Sequence, residues 1–139
     1  MNVYTIIIYL MSITFEAQAI ASCESGNGLT FGTIDWSARS ITQDGGAFQF
    51  NDATWATMKV GASYAQADMA DPVTQYKAFT QLWDDGRGWR HWRSSQACWS
   101  QWLDVVDNVA VRKEQYATRT GVEMRVAYRK LLYSLYGPH

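Results

Sequence analysis

Apolar residues in the first part of the chain recur at the spacing of an α-helix. Phe15, Ala19 and Ser22 would share one face of such a helix, and Gly26 would end it because glycine favours the position after a helix C-terminus. The pattern therefore predicts a helix whose last turn carries Glu24.

An uncharged apolar run at residues 3–15 leads into this helix and is too short for a confident membrane span. Ala-Gln-Ala at residues 17–19 has the small-x-small form of a signal-peptide cleavage site. However, no Lys or Arg precedes the run, and cleavage after Ala19 would remove most of the helix that presents Glu24. We therefore favour a buried first helix over a signal peptide.

The segment after the first helix is rich in residues that break regular structure. Gly, Ser, Thr, Asp and Asn dominate residues 26–46, which predicts a loop, with short strands near residues 33–36 and 47–50. A loop-rich or small β insert is therefore expected after Glu24.

Two further helices have recognisable start signals. Asn51 or Asp52 is expected to cap a short helix that ends near Gly61. Asp71, which is followed by proline, is expected to cap a longer helix that ends near Gly86.

The last part of the chain also shows helical spacing. A helix capped by Ser94 or Ser95 would place four residues on one face, namely Cys98, Trp102, Val105 and Val109. Gly121 separates it from a final helix that ends at residues 137–138. These elements predict a mainly α fold of the α+β type, with a domain at residues 1–110 and a basic helical extension at residues 111–139.

Charge excludes a general affinity for nucleic acid or membranes, because the net charge of the 139 residues is −1. The distribution is uneven. Residues 1–110 carry 6 basic and 11 acidic side chains, whereas residues 111–139 carry 6 basic and 2 acidic ones. The basic extension could contact an anionic assembly partner, although a solvated helix face is the commoner explanation.

Aromatic residues are abundant, with seven Trp, eight Tyr and five Phe. Aromatic rings fill cores, but they also line grooves that stack on sugars or bases. Trp89 and Trp92 are groove candidates because they alternate with basic residues in a predicted loop. Packing against Cys98 is the alternative for both.

The two cysteines do not form a C-x-x-C pair, so neither a zinc site nor a redox motif is indicated. They could be buried thiols or one disulfide. A disulfide would imply an oxidising compartment.

Several short motifs occur in one order along the chain: Cys-Glu-Ser-Gly at 23–26, Gly-Ala-Phe-Gln-Phe at 46–50, Thr-Trp at 54–55, and Gly-Trp at 88–89 followed by Trp92 and Cys98. Together they resemble the lysozyme-like superfamily, closest to the transglycosylase-like domain of resuscitation-promoting factors. They are also similar to the Glu-Ser-Gly and Gly-x-x-Gln motifs of soluble lytic transglycosylases. The resemblance covers about residues 14–102 and implies a lysozyme-like fold.

The resemblance also implies roles for individual residues. Glu24 matches the catalytic carboxylate, the general acid that protonates the glycosidic oxygen. Cys23 and Cys98 match a family disulfide. No metal or cofactor is implied.

Candidate contacts with the glycan come mainly from the same resemblance. Gln49 and Thr54 match positions that line the sugar groove, and Trp92 matches an aromatic residue near its rim. Hydrogen bonding to buried backbone groups is the alternative for Gln49. The full set of candidates is Gln49, Asn51, Thr54, Trp89 and Trp92, although Asn51 stands where these factors often have Asp.

The chemistry of glycosidic cleavage supports a single acid at a helix end. A carboxyl group that is held against the core loses water, which raises its pKa and suits it to donate a proton near neutral pH. A hydrolase also needs a second carboxylate, roughly 5–5.5 Å from the acid when retaining and roughly 6.5–9.5 Å when inverting. Asp35, Asp44 and Asp52 are the candidates, and we expect none of them to reach either window.

The sequence therefore predicts a lytic transglycosylase that acts on the β-1,4 bond between MurNAc and GlcNAc in peptidoglycan. A muramidase of the same fold is the first alternative, and a non-catalytic glycan-binding or structural component of a phage virion is the second. The expected partners are peptidoglycan glycan strands, without a specific nucleic acid or a stable membrane span. The expected location is extracellular, periplasmic or within a phage virion.

Overall fold

The computed structural model describes residues 13–117, which form short helices and two small antiparallel sheets. The α-helices are α1 (Phe15–Glu24), α2 (Asp52–Ala56), α3 (Pro72–Trp83), α4 (Gln96–Trp99) and α5 (Glu114–Ala117). The strands are β1 (Asp44–Gly45), β2 (Phe50–Asn51), β3 (Leu103–Val106) and β4 (Val109–Arg112). Short 3-10 helices cover Lys59–Gly61, Ala67–Met69, Asp84–Gly86 and Trp89–Ser95. The architecture is α+β.

Each sheet is a two-stranded hairpin. In the first, Asp44 pairs with Asn51 and Gly45 pairs with Phe50. In the second, β3 and β4 pair along their whole length, from Leu103 opposite Arg112 to Val106 opposite Val109.

The prediction of one helix that begins at Ser94 or Ser95 and continues through Val109 is wrong. The chain is helical only to Trp99 and then forms the β3–β4 hairpin. Asp107 and Asn108 have φ angles of 50° and 65°, which suit the two-residue turn that joins twisted strands. The boundary drawn after residue 110 falls inside β4, and most of the predicted basic extension lies outside the described residues.

The two predicted strands are found only in part. Residues 33–36 form no strand, and of residues 47–50 only Phe50 belongs to one, because residues 47–49 form a turn in which Gln49 has a φ of 52°. The partner strand is Asp44–Gly45, which the sequence predicted to be a loop. The final helix after Gly121 and most of the apolar run at residues 3–15 lie outside the described part of the chain.

Two helix starts are confirmed in atomic detail. The Asn51 side chain accepts a hydrogen bond from the Thr54 N–H at 2.7 Å and so caps α2. The Asp71 side chain accepts one from the Thr74 N–H at 2.9 Å and caps α3. Helix α3 ends at Trp83, earlier than the sequence predicted.

Aromatic side chains form much of the core. The ring of Phe79 stacks on Phe48 at 4.4 Å and on Trp83 at 5.3 Å, and lies 5.0 Å from Trp92. The buried tryptophans are Trp55, Trp83, Trp89, Trp92, Trp99 and Trp102. Trp36 is only partly buried. The high aromatic content therefore mainly serves packing.

Within residues 13–117, no helix combines the length and the apolar character that crossing a bilayer requires.

Candidate active site

Glu24 is the last residue of a helix that belongs to the core. Thr14 caps the start of α1, accepting a hydrogen bond from the Ala17 N–H at 3.1 Å. Ala17, Ala19 and Ile20 are fully buried. The helix is therefore fixed along its length, and its last turn holds Glu24 on a rigid element.

The Ser-Gly pair after Glu24 attaches the following loop to this helix end. The Ser25 hydroxyl accepts a hydrogen bond from the Asp35 N–H at 3.0 Å and donates one to the Ala21 carbonyl oxygen at 3.2 Å. A side chain at Gly26 would collide with the Thr33 carbonyl and hydroxyl oxygens. Close packing thus requires glycine at this position.

A disulfide joins Cys23 to Cys98, as the resemblance implied, with the two Cα atoms 5.9 Å apart. The same two chain segments are also linked by the Gln101 side chain, whose Nε2 donates to the Gly28 carbonyl oxygen at 2.9 Å. The residue beside Glu24 is therefore tied covalently to α4.

Ser95 contacts Glu24 directly. Its Oγ lies 2.5 Å from Glu24 Oε1, and both side chains are only partly exposed. Sequence reasoning had considered Ser95 only as a helix cap. No local pattern could have found the contact, because 71 residues separate the two partners.

Three influences act on the Glu24 carboxyl group. Burial raises its pKa by removing water from the charged form, the hydrogen bond from Ser95 opposes this, and the negative charge of Asp44 raises the pKa further. The net result is a pKa above the ordinary value. Such a group retains a proton to higher pH than a surface glutamate, as a general acid requires.

Asp44 is the carboxylate whose negative charge raises the pKa of Glu24. It lies on β1, is partly buried, and accepts a hydrogen bond from the Thr42 hydroxyl at 3.0 Å. Asp35 is exposed, and its Oδ1 binds the backbone N–H and the hydroxyl of Ser37 at 3.0 and 2.9 Å.

Asp52 is committed to an ion pair. Both of its oxygens accept hydrogen bonds from Arg39, at 3.0 and 2.9 Å, and this pairing holds the pKa of Asp52 below its ordinary value. Arg39 also contacts Asp68 at 3.1 Å. Arg39 was not singled out in the sequence, where nothing marks it as the centre of a charge cluster.

The neutral groove candidates lie on and after the first hairpin. Gln49 Nε2 donates to the carbonyl oxygens of Gly46 at 3.0 Å and Ala38 at 3.5 Å, which is the structural alternative considered for it. Asn51 is exposed but its Oδ1 caps α2, and Thr54 is partly exposed.

Trp89 and Trp92 belong to the core rather than to an open groove. They are 8% and 3% exposed. Trp89 Nε1 donates to the Asn108 carbonyl oxygen at 3.2 Å, and Trp92 Nε1 donates to that of Phe48 at 2.8 Å. The prediction that Trp89 and Trp92 line the sugar groove is corrected, because little of either ring is left for a ligand to contact. Trp36 is the partly exposed tryptophan, and it follows Asp35, which is bound to Ser25.

Gln75 is a second residue that sequence reasoning missed. Its side chain is fully buried in α3 and accepts a hydrogen bond from the Ala47 N–H at 2.9 Å. It donates to the carbonyl oxygens of Trp36 at 2.9 Å and Ala70 at 2.8 Å. This single side chain thereby holds the hairpin and the preceding loop against α3.

No protein-family model, curated protein or solved structure matches this chain. The relation to the lysozyme-like superfamily therefore remains a resemblance that rests on the motif residues.

A cleft of about 330 Å³ lies at the other end of α1 from Glu24. Its walls include Thr14, which caps α1, Glu16 from the first turn of α1, Thr80 from α3, and Arg112 from β4. Glu16 and Arg112 form an ion pair across 3.6 Å. None of the Glu24 contacts lines this cleft, so it is separate from the candidate acid. Within the described chain, no group of three or more His, Cys, Asp or Glu side chains could hold a metal ion.

Proposed function

We propose that the protein is a lytic transglycosylase that cleaves the β-1,4 bond between MurNAc and GlcNAc in peptidoglycan. The observation that carries the proposal is the Glu24 carboxyl group, which is partly buried at the rigid end of α1 with a raised pKa. Perturbed pKa values cluster at functional sites, and this environment therefore supports a role for Glu24 as an acid.

In the proposed reaction, Glu24 protonates the glycosidic oxygen as the bond breaks and positive charge develops on the sugar ring. Glu24, now ionised, then removes a proton from the sugar's own C6 hydroxyl, which closes a 1,6-anhydro ring. The substrate supplies the nucleophile, so the reaction needs one protein carboxyl group.

The environments of Asp35 and Asp52 support this choice. Asp52 is engaged by Arg39 in two hydrogen bonds, and Asp35 is exposed with Oδ1 bound to Ser37. We assign Asn51 and Thr54 as neutral contacts that orient the glycan, and Trp36 as the aromatic residue that stacks on a sugar. We also propose that Gln49 contacts the glycan through its Oε1, because its Nε2 already donates to the Gly46 carbonyl oxygen.

A muramidase is the second candidate, and the effect of Asp44 on Glu24 favours it. The charge of Asp44 acts on Glu24, as expected for carboxylates that share a cleft. In a hydrolase, Asp44 would serve as the nucleophile or as the base that activates water.

The proposed partner is the glycan strand of peptidoglycan, and the proposed location is the bacterial exterior, the periplasm or a phage virion. The disulfide agrees with an oxidising compartment. The basic residues at 111–139 remain a candidate surface for an assembly partner.

Mass analysis of the products from purified peptidoglycan tests the proposal. Anhydro-muramic ends are expected, whereas reducing ends would identify a muramidase. Absence of soluble products would favour a non-catalytic glycan-binding or virion component.

The matched variants are Glu24→Gln and Glu16→Gln, which change the two glutamates of the same helix. Removing a general acid costs roughly 10²- to 10⁴-fold in rate, so Glu24→Gln is expected to lose that much. Glu16→Gln should retain most of the activity, because Glu16 lies at the other end of α1. A folded Glu24→Gln variant with near-normal activity would refute the assignment.

A further inference from the structure

We propose that Ser95 is the positioning residue of Glu24, and that its hydroxyl reverses its hydrogen bond when Glu24 gains or loses a proton. The catalytic meaning of this inference rests on the proposed function. The contact and its reversal do not, since they concern Glu24 and Ser95 in the protein alone.

The geometry offers the Ser95 hydroxyl two acceptors. Its Oγ is 2.5 Å from Glu24 Oε1 and 3.1 Å from the Trp92 carbonyl oxygen. A serine hydroxyl has one hydrogen, so it donates to only one of them at a time. The protonation state of Glu24 then decides whether Ser95 donates to Glu24 or to the Trp92 carbonyl oxygen.

Each protonation state of Glu24 has a satisfied arrangement. When Glu24 is ionised, Ser95 donates to the carboxylate, and a hydrogen bond to a charged acceptor is stronger than one between neutral groups. When Glu24 is protonated, the carboxylic acid donates to Ser95 Oγ, and Ser95 donates to the Trp92 carbonyl oxygen. The carboxyl group therefore keeps one position while it changes from acid to base.

The reversal leaves no buried group without a partner. The Trp92 carbonyl oxygen also accepts a hydrogen bond from Trp99 Nε1 at 2.9 Å. When Ser95 turns toward Glu24, that second donor remains, so the cost of an unsatisfied buried carbonyl is avoided.

A disulfide lies next to this contact and links the two chain segments that make it. Cys23 precedes Glu24, and Cys98 lies about one helical turn after Ser95. The two partners are thus carried by chain segments that are linked covalently beside the contact.

Other charged groups near the site do not offer the same exchange. Asp44 on β1 acts on Glu24 through its charge. Arg90, His91 and Arg93 belong to the same 3-10 helix as Ser95, and all three are exposed to solvent.

A ¹³C-carboxyl NMR titration of Glu24, with the disulfide intact and no glycan present, tests the proposal. Ser95→Ala removes a donor to the charged form, so the pKa of Glu24 should rise above that of the wild type. Ser95→Thr keeps a hydroxyl and should restore it. Ser94→Ala, at the exposed neighbouring serine, should leave it unchanged. An unchanged or lowered pKa in Ser95→Ala would overturn the proposal.

Glycan cleavage provides a second readout. In Ser95→Ala, the basic limb of the pH–rate profile should move to higher pH, and kcat should fall with little change in KM. The loss should be smaller than the roughly 10²- to 10⁴-fold expected for removal of the acid itself. If Ser95→Ala does not fold, Ser95→Cys replaces the hydroxyl by a weaker donor and should also raise the pKa. If the wild type cleaves no glycan, the proposed function fails, while the titration still decides the role of Ser95.

Discussion

The end of α1 and the start of α2 each carry a carboxylate, and their surroundings shift the two pKa values in opposite directions. Glu24 loses water by burial, which raises its pKa, and its direct hydrogen-bond partner Ser95 is neutral. Asp52 is exposed and pairs with the Arg39 guanidinium, which lowers its pKa. Position at a helix end therefore does not by itself raise the pKa of a carboxyl group. The hydrogen-bond partner of that group and its access to water decide the direction of the shift.

The largest expected effect tests how the Glu24 region is held together. Replacing Cys23 and Cys98 by alanine should lower the free energy of unfolding by roughly 4 kcal/mol, because the disulfide spans a sequence separation of 75 residues. Denaturant unfolding of oxidised wild type and variant measures this. Added reductant should destabilise the wild type but not the variant, and equal stabilities without reductant would contradict the prediction.

The hairpin region depends instead on a buried side chain. Gln75→Leu would leave the Ala47 N–H and the carbonyl oxygens of Trp36 and Ala70 without their partner. Unfolding free energy should fall by roughly 2–4 kcal/mol, since buried polar groups lose hydrogen bonds. Gln101→Leu makes the same chemical change at an exposed position and should cost much less. Similar losses in both variants would show that the Gln75 network is not special.

A charge on the hairpin links the two regions. Asp44→Asn removes a negative charge that raises the pKa of Glu24, so that pKa should fall. Asp35→Asn is the control, and it should leave the pKa of Glu24 unchanged.

The same variants separate the two candidate reactions. A lytic transglycosylase should still form anhydro products after Asp44→Asn, whereas a loss of roughly 10²-fold or more would assign Asp44 a direct role and identify a muramidase.

The smallest expected effect concerns the Arg39 pair. Because the pKa of Asp52 is lower in the folded state than in the unfolded state, the charged pair stabilises the protein above the unfolded pKa. That contribution is lost as the pH falls through the folded pKa. The wild type should therefore exceed Asp52→Asn in stability at pH 7, and the difference should shrink by about pH 3, below the ordinary Asp pKa. A difference that does not change with pH would argue against the ion pair.

Features that depend on neighbouring residues could be predicted from local signals in the sequence. Asp71 is predicted as one helix cap and Asn51 or Asp52 as another, and Asp71 and Asn51 accept the expected backbone hydrogen bonds. The disulfide was also predicted, but from the resemblance rather than from local pattern.

The β3–β4 hairpin was missed because its apolar residues also fit a helix. Trp102, Val105 and Val109 have the spacing of a helix face, which favours a helix. The Asp-Asn dipeptide at 107 and 108, with valines on both sides, favours a hairpin instead. β-Branched residues around that dipeptide were the available signal for a strand pair.

The sequence does not predict the roles of Ser95 and Gln75, because both depend on contacts between distant residues. Ser95 reaches Glu24 across 71 residues, and Gln75 reaches Trp36 across 39. Neither contact leaves a local pattern. Trp89 and Trp92 resemble groove residues in the sequence. Only the folded structure shows that both rings are buried and that their Nε1 atoms donate to the carbonyl oxygens of Asn108 and Phe48.

The disulfide also changes what happens when the backbone is cut. All of residues 24–97 lie inside one covalent ring that Cys23 and Cys98 close. Ile41, which is 99% exposed, lies in this ring at a surface turn, the kind of site that proteases attack first. A single cut there would leave both fragments attached to each other. Glu24 and the hairpin would therefore remain parts of one molecule after the cut.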